Sequence, residues 1–217
     1  MLRYDPRTRV IACGFAALAG FVDAIGFLGS GGFFVSFMSG NSTRLAVGVA
    51  GRLMVAATAG GLILAFVLGV VSAALIARGR KAIRQRIVMT IVSSALFMAA
   101  MTADFAAPFV ALPLVAFAMG ALNMMFERDG EIRIGLTYMT GTLVKIGQHL
   151  AVALSGGERW GWVPFLSLWL GLIAGTIAGA LSHRAIGLDA LWVAAAASVT
   201  MALLASRPLI AGEASHS

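Results

Sequence analysis

The chain has 217 residues, of which 60% are hydrophobic and only 12% are charged. A soluble domain is nearer half apolar and a quarter charged, so the composition excludes an ordinary soluble protein and indicates a polytopic membrane protein. The net charge of +7 does not indicate nucleic-acid binding, because most of the basic residues lie between apolar runs, where topology-setting charges are found. The single cysteine, Cys13, excludes an internal disulfide and a zinc cluster.

Eight apolar segments follow one another along the chain, and several reach the length of about 20 helical residues that crosses a bilayer. Three arginines precede the first segment, as in a signal peptide. No cleavage site of small residues follows, and the segment contains Asp23, so we expect a retained first helix. The segments cover residues 10–29, 32–50, 54–77, 87–103, 108–126, 134–154, 162–182 and 189–206.

The first four segments correspond to the last four at a distance of about 100 residues. Residues 20–23 (GFVD) correspond to 120–123 (GALN), and residues 37–44 (FMSGNSTR) correspond to 138–145 (YMTGTLVK). Matches in the same order at nearly constant spacing predict two related halves around a pseudo-symmetry axis. We expect one membrane domain over 1–217, with repeat 1 at about 10–103, repeat 2 at about 106–206, and short cytoplasmic tails at 1–9 and 207–217.

The positions of the basic residues predict the topology. Three arginines precede residue 10 and five bases lie within 78–86, so both regions should be cytoplasmic. An even number of crossings must separate them, yet three apolar segments lie between. Segment 32–50 contains three glycines and a polar run, and a fourth glycine, Gly31, precedes it directly. Non-helical backbone is tolerated at membrane depth only where protein or water covers it. We therefore predict that this segment is re-entrant or broken. We predict the same for segment 134–154, which would enter from the opposite side of the membrane.

The resulting fold class is an all-α polytopic membrane protein. Six transmembrane helices form two inverted three-span repeats, each repeat has a broken or re-entrant helical segment, and both termini are cytoplasmic. Glycines at residues 171, 175 and 179 lie four apart on one helix face, which predicts a close helix–helix contact.

Two short polar motifs are the candidate binding site. Ser, Thr and Asn are preferred helix N-caps and Gly permits a turn, so the motifs at 39–41 and 140–142 predict breaks followed by new helices. A helix that starts at membrane depth directs free N–H groups and partial positive charge at a ligand. With Arg44 and Lys145 one turn further on, the site would suit a polar solute, and an anion in particular. The predicted binding residues are Asp23, Ser39, Gly40, Asn41, Arg44, Asn123, Thr140, Gly141, Thr142 and Lys145.

Ionisable groups in the apolar segments have a functional and a structural interpretation. A charge at bilayer depth costs roughly 2.5–3.5 kcal/mol, so Asp23 and His149, which lies one turn after Lys145, are candidates for coupled protonation. Alternatively, Asp23 and Arg44 form an internal salt bridge, or the long basic side chains extend to the membrane surface.

Residues 20–27 (GFVDAIGF), followed by Phe33 and by 37–41 (FMSGN), resemble the YoaK-type family of bacterial inner-membrane proteins, which is known as a domain of unknown function. The resemblance extends from about residue 10 to 206. Ser39 stands where the family usually has Thr, and residues 119–123 (MGALN) stand in place of a Gln-Asn pair. The resemblance implies a multi-pass protein of the bacterial plasma membrane with about six spans, and it implies no established substrate.

The leading hypothesis is a small secondary transporter or channel for a small polar solute bound between the two motifs. The alternative is a non-transporting structural or regulatory membrane protein. An enzyme is less favoured, because the chain has no metal-ligand spacing, paired carboxylates or nucleophile motif, and we expect no cofactor and no metal. The expected partners are the lipid bilayer and the solute, without nucleic acid. Six spans are few for an alternating-access transporter, so two copies of the chain could act together as a homodimer.

Overall fold

The computed structural model describes residues 5–80, 83–105, 108–128, 131–132 and 134–205. These residues are helical except for turns, short connections and one antiparallel pair of two-residue strands, Glu127–Arg128 and Glu131–Ile132. Two 3₁₀ turns, Asn123–Phe126 and Gly187–Asp189, also occur. The α-helices are α1 (Pro6–Gly29), α2 (Met38–Val49), α3 (Leu53–Ala77), α4 (Arg84–Asp104), α5 (Pro108–Leu122), α6 (Met139–Leu154), α7 (Val163–Ile186) and α8 (Ala190–Leu204).

Within the described residues, four helical stretches are long and apolar enough to cross a membrane: Pro6–Gly29, Leu53–Ala77, Arg84–Ala103 and Val163–Leu204. The last stretch has 42 residues and contains both α7 and α8, separated by the turn at Gly187–Asp189. By contrast, α2 has only 12 residues, about 18 Å at the helical rise of ~1.5 Å per residue, which is well short of the ~30 Å hydrocarbon core. The prediction of a helical polytopic membrane protein is confirmed.

Helices α1 and α7 are in backbone contact. Three glycines of α7 lie against three carbonyl oxygens of α1, and both sets advance four residues at a time in the same direction, so the two helices run parallel. A Cβ atom on any of these glycines would overlap the facing oxygen, which confirms the predicted close contact. The facing pairs are Gly171 with Cys13, Gly175 with Ala17, and Gly179 with Phe21; in the other direction, Gly20 faces the carbonyl oxygen of Leu172.

Helices α3 and α5 make two contacts of the same kind, in which a glycine of each helix faces a carbonyl oxygen of the other. Gly69 of α3 faces the carbonyl oxygen of Phe117, and Gly120 of α5 faces the carbonyl oxygen of Phe66. In the α1–α7 pair the equivalent glycines are Gly175, 106 positions after Gly69, and Gly20, 100 positions before Gly120. The spacing seen in the sequence motifs is therefore repeated in how the helices pack.

Helix α8 runs antiparallel to both α1 and α4. Arg7 Nη2 donates to the Leu204 carbonyl oxygen at 3.0 Å, so the start of α1 lies beside the end of α8. Ser198 Oγ donates to Ser93 Oγ at 3.1 Å. The ring centroids of Trp192 and Phe97 are 5.2 Å apart, which places the start of α8 beside the second half of α4. Helices α1 and α4 consequently point in the same direction.

The connection from α1 to α2 corrects one prediction. Gly31 and Gly32 have φ of +71° and +110°, values that suit glycine, and the chain stays non-helical as far as Phe37. Helices α2 and α6 begin at Met38 and Met139, and neither has a side-chain hydrogen bond at its N-cap. The predicted capping by Ser, Thr or Asn is wrong, because the motifs 39–41 and 140–142 lie inside the first helical turns.

Two further boundaries differ from the sequence-based expectation. Residues 6–9, assigned to the N-terminal tail, form the first turn of α1, where Asp5 caps the helix by accepting from the Thr8 N–H. The helical parts of segments 32–50 and 134–154 are shorter than the apolar runs, since about six residues precede each helix start. The expected tail at 207–217 lies outside the described residues.

Candidate functional site

The Asp23 carboxylate holds the non-helical segment against α1. Its Oδ1 accepts from the backbone N–H groups of Val35 at 2.8 Å and Ser36 at 2.7 Å, and its Oδ2 accepts from Ser36 Oγ at 2.6 Å. The two N–H groups can only donate, so Oδ1 is an acceptor in both of its hydrogen bonds. Because Asp23 lies six residues before the end of α1, the segment is held well inside the helix bundle.

Asn123 makes a parallel contact in the second half. Its Oδ1 accepts from Thr137 Oγ1 at 3.2 Å, while its Nδ2 donates to the Met119 carbonyl oxygen at 2.9 Å. Thr137 lies 14 positions after Asn123, and Ser36 lies 13 after Asp23. Each half therefore has a buried hydroxyl that gives its proton to the polar residue of the preceding helix. The residue that accepts this proton is an acid, Asp23, in the first half and an amide, Asn123, in the second.

A cavity of about 240 Å³ lies where α2 and α6 begin. At ~30 Å³ per molecule it has room for about eight waters. Five hydroxyl groups, one of them on Tyr138, border it together with three aromatic rings and two thioethers, and none of the described side chains in the lining is charged. The lining residues are Ser36, Phe37, Met38, Ser39, Phe66, Thr137, Tyr138, Met139, Thr140 and Gly141.

Three of the predicted binding residues, Ser39, Thr140 and Gly141, line the cavity. Asp23 and Asn123 lie directly behind its wall, bonded to two lining hydroxyls. These five residues are the part of the predicted site that the fold brings together.

Gly40 and Asn41 support the wall of the cavity from behind. A Cβ atom on Gly40 would come within 2.7 Å of the Phe37 ring and 2.9 Å of the Phe34 ring, so glycine lets both rings lie on the first turn of α2. The Asn41 side chain is fully buried; its Oδ1 accepts from Phe34 N at 3.0 Å and its Nδ2 donates to Phe34 O at 2.6 Å. The amide of Asn41 is thus engaged by the backbone that precedes α2.

Thr142, at the position equivalent to Asn41, makes a much weaker contact. Its side chain is 6% exposed and its Oγ1 lies 3.4 Å from the Tyr138 carbonyl oxygen, four residues earlier in the chain. This is the ordinary helical back-bond of a threonine, and it fixes no distant segment.

The basic residues lie outside the cavity. Arg44 Nη1 donates to the Gly32 carbonyl oxygen at 2.6 Å, and its guanidinium carbon is 4.2 Å from the centroid of the Phe33 ring. Among the described residues, Arg44 therefore does not form the ion pair with Asp23 that was one alternative. Lys145 is exposed with its Nζ 5.6 Å from the Phe165 centroid, and the His149 ring stacks on the same phenyl ring at 5.1 Å.

Sequence reasoning missed seven lining residues. Four of them, Phe37, Met38, Tyr138 and Met139, belong to the two motifs but were not predicted to bind; the others are Ser36, Thr137 and Phe66. Ser36 and Thr137 could have been found, because hydroxyl residues recur at 13 and 14 positions after Asp23 and Asn123. Phe66 carries no such signal, since it is one apolar residue in the uniformly apolar helix α3.

The fold and the cavity define a helical polytopic membrane protein with a small chamber between two related helix starts. The chain belongs to the family described as Protein of unknown function (DUF1275), whose model matches residues 11–204. The resemblance to a YoaK-type uncharacterised membrane family is confirmed. The chain is also similar to the UPF0700 transmembrane protein RA0705 of Rhizobium meliloti (strain 1021), with 35% identity over 184 residues, which is 85% of this chain and 80% of the relative. No solved structure matches the chain.

Proposed function

We propose that the protein is a small secondary transporter or channel whose solute binds in the cavity between the starts of α2 and α6. One observation carries the proposal: equivalent residues of the two halves, 36–39 and 137–141, border a single cavity. Discontinuous helices that meet between two repeats are a recurrent plan for transporter binding sites. Arg44 and Lys145 lie outside the lining, so a preference for anions is not part of the proposal.

We propose six crossings, made by α1, α3, α4, α5, α7 and α8 and arranged as two inverted repeats. The contact of Arg7 with Leu204 supports an even number of crossings, because it joins the start of α1 to the end of α8. Arg84, at the start of α4, pairs with the Glu127 carboxylate and donates to its carbonyl oxygen at 2.9 Å, which joins that end to the exit of α5. The bases at 78–86 favour the cytoplasmic side of the bacterial plasma membrane for this end.

We propose that α2 and α6 are re-entrant. Helix α4 is parallel to α1. Helix α3 ends at Ala77, only seven positions before α4 begins at Arg84, so we place α3 antiparallel to α4, and α3 then begins on the side where α1 ends. Gly48 packs on Ala56, which places the end of α2 beside the beginning of α3. The start of α2 lies at the depth of Asp23. Segment 30–52 would therefore leave and return on one side, and the correspondence of the repeats extends this to α6.

Thiol labelling tests the proposed site. In a Cys13→Ala background, we expect Ser39→Cys and Thr140→Cys to react with a membrane-impermeant maleimide from both sides of the membrane, because both positions line the cavity. Thr142→Cys is the matched control: it is one turn or less from Thr140 but buried, and should remain unlabelled. If neither Ser39→Cys nor Thr140→Cys reacts from either side, the paired site is wrong and a non-transporting role is favoured.

Asp23 is the proposed proton-coupling residue. Uptake of a panel of small cations, neutral solutes and anions into proteoliposomes under an imposed pH gradient should lose its pH dependence in Asp23→Asn. The reason is that Asp23 is the ionisable side chain bonded to the cavity wall. We expect His149→Gln to keep the dependence, since His149 stacks on Phe165 away from the cavity. The opposite pattern would transfer the role to His149.

A further inference from the structure

We infer that the cavity takes a small organic cation with N–H donors, such as a protonated amine. This inference rests on the proposed function and names its substrate class. It comes from the polarity of the groups that line the cavity, which favours a cation. The basic residues of the two motifs, considered from sequence alone, favour an anion instead.

The two buried hydroxyls of the lining present oxygen lone pairs to the cavity. A hydroxyl has one proton to donate and two lone pairs that accept. Ser36 Oγ gives its proton to Asp23 Oδ2 and Thr137 Oγ1 gives its proton to Asn123 Oδ1. What both groups can still offer a solute is acceptor capacity, and it is matched by N–H donors rather than by an anion.

The remaining lining is also electron-rich. The faces of the Phe37, Phe66 and Tyr138 rings carry the negative part of the aromatic quadrupole, and grouped rings are a known means of holding ammonium groups. The sulfur atoms of Met38 and Met139 are weak acceptors. The other lining hydroxyls, those of Ser39, Tyr138 and Thr140, can both donate and accept, so they do not distinguish a cation from an anion.

Charges behind the lining do not reverse this preference. Each helix start has a partial positive charge of about half a unit. The Asp23 carboxyl group lies directly behind Ser36 and, when ionised, opposes the partial positive charge of both starts. Arg44 is engaged by Gly32 and Phe33, and Lys145 is exposed beside Phe165. Among the described residues, Asp23 is the acidic residue bonded to a lining group, whereas the partners of Arg44 and Lys145 lie outside the lining, so the ionisable group coupled most directly to the cavity favours a cation.

An isosteric series separates the charge of the solute from its shape. Purified full-length protein would be titrated with benzylammonium, benzyl alcohol and benzoate, and binding measured by calorimetry. We expect benzylammonium to bind at millimolar concentration or tighter, and at least about tenfold tighter than benzoate. Equal or tighter binding of benzoate, or no binding of benzylammonium in that range, overturns the inference.

Asp23→Asn supplies a sharper readout. The amide oxygen can still accept from the Val35 and Ser36 N–H groups, but the amide NH₂ must donate to Ser36 Oγ, which turns the Ser36 proton toward the cavity. We expect benzylammonium to lose about tenfold in affinity and its advantage over benzoate to disappear. Asn123 shows that an asparagine fits the equivalent place, so the variant should fold. An unchanged advantage over benzoate contradicts the inference.

Phe66→Leu is the second variant, because it keeps an apolar side chain and removes one ring. The affinity for benzylammonium should fall several-fold, whereas the affinity for benzyl alcohol should change less. A larger loss for benzyl alcohol than for benzylammonium counts against a cation site. Thiol labelling at Ser39 and Thr140 tests the proposed function independently. Labelling from both sides together with preferred benzoate binding removes the cation inference and leaves transport standing, whereas absent labelling removes the proposed function itself.

Discussion

Valine in place of Gly69 should destabilise the protein by about 1–3 kcal/mol or more, the range found for overpacking a dense interior. A side chain at this position would overlap the Phe117 carbonyl oxygen, a backbone atom that cannot turn away as a flexible side chain could. Helices α3 and α5 would have to separate along their contact. The measurement is the thermal unfolding midpoint of the purified protein in detergent, followed by intrinsic tryptophan fluorescence.

Gly61→Val is the matched control for this experiment. Gly61 lies in the same helix, eight residues before Gly69, and a Cβ atom there meets nothing within 4 Å. We expect a change within about 0.5 kcal/mol, as for surface substitutions in general. Equal losses in the two variants would show that valine disturbs α3 by itself and that the contact with α5 is not responsible.

Alanine in place of Asn41 should cost about 2–6 kcal/mol. The substitution leaves both the N–H and the carbonyl oxygen of Phe34 without their partner, and each buried unsatisfied group costs ~1–3 kcal/mol. The non-helical segment that carries Ser36 would lose its attachment to Asn41 and keep those to Asp23 and Arg44. We therefore expect both a lower unfolding midpoint and faster proteolysis between α1 and α2.

Thr142→Ala measures the same substitution at the equivalent place in the second half. Thr142 makes only a 3.4 Å contact with the carbonyl oxygen four residues earlier, so its loss should cost under about 1 kcal/mol. The difference between the two alanine variants reports the tertiary role of Asn41. If both variants unfold alike, the bonds between Asn41 and Phe34 contribute little.

Features that depend on spacing could be predicted from sequence. The glycines at 171, 175 and 179 are recognisable because close helix contact requires small residues at this interval, and their facing oxygens confirm it. The correspondence of Asp23 with Asn123 was visible because both follow a glycine by three positions. It reappears as two equivalent hydrogen bonds to Ser36 and Thr137.

Features that depend on where side chains turn could not be predicted. Asn41 fits the composition of a helix cap, but its amide is used by Phe34, which lies seven residues earlier on a segment whose path the motif does not specify. From its place in the motif, Arg44 is expected to bind an anion. In the structure the turn at Gly32 places a carbonyl oxygen against its guanidinium group. In both cases the competing partner is a backbone group, and backbone groups are present at every position of a sequence.

The hydrogen bond between Ser93 and Ser198 has a mechanical consequence. The two serines are 105 positions apart, one fewer than the 106 that separate Gly69 of α3 from Gly175 of α7, so each lies within one residue of the position that corresponds to the other. In the proposed inverted repeat, corresponding residues of the two halves can be in contact only close to the axis that relates the halves. If the halves rock against each other, points on the axis are displaced least, and the α4–α8 contact is the natural fulcrum of the motion.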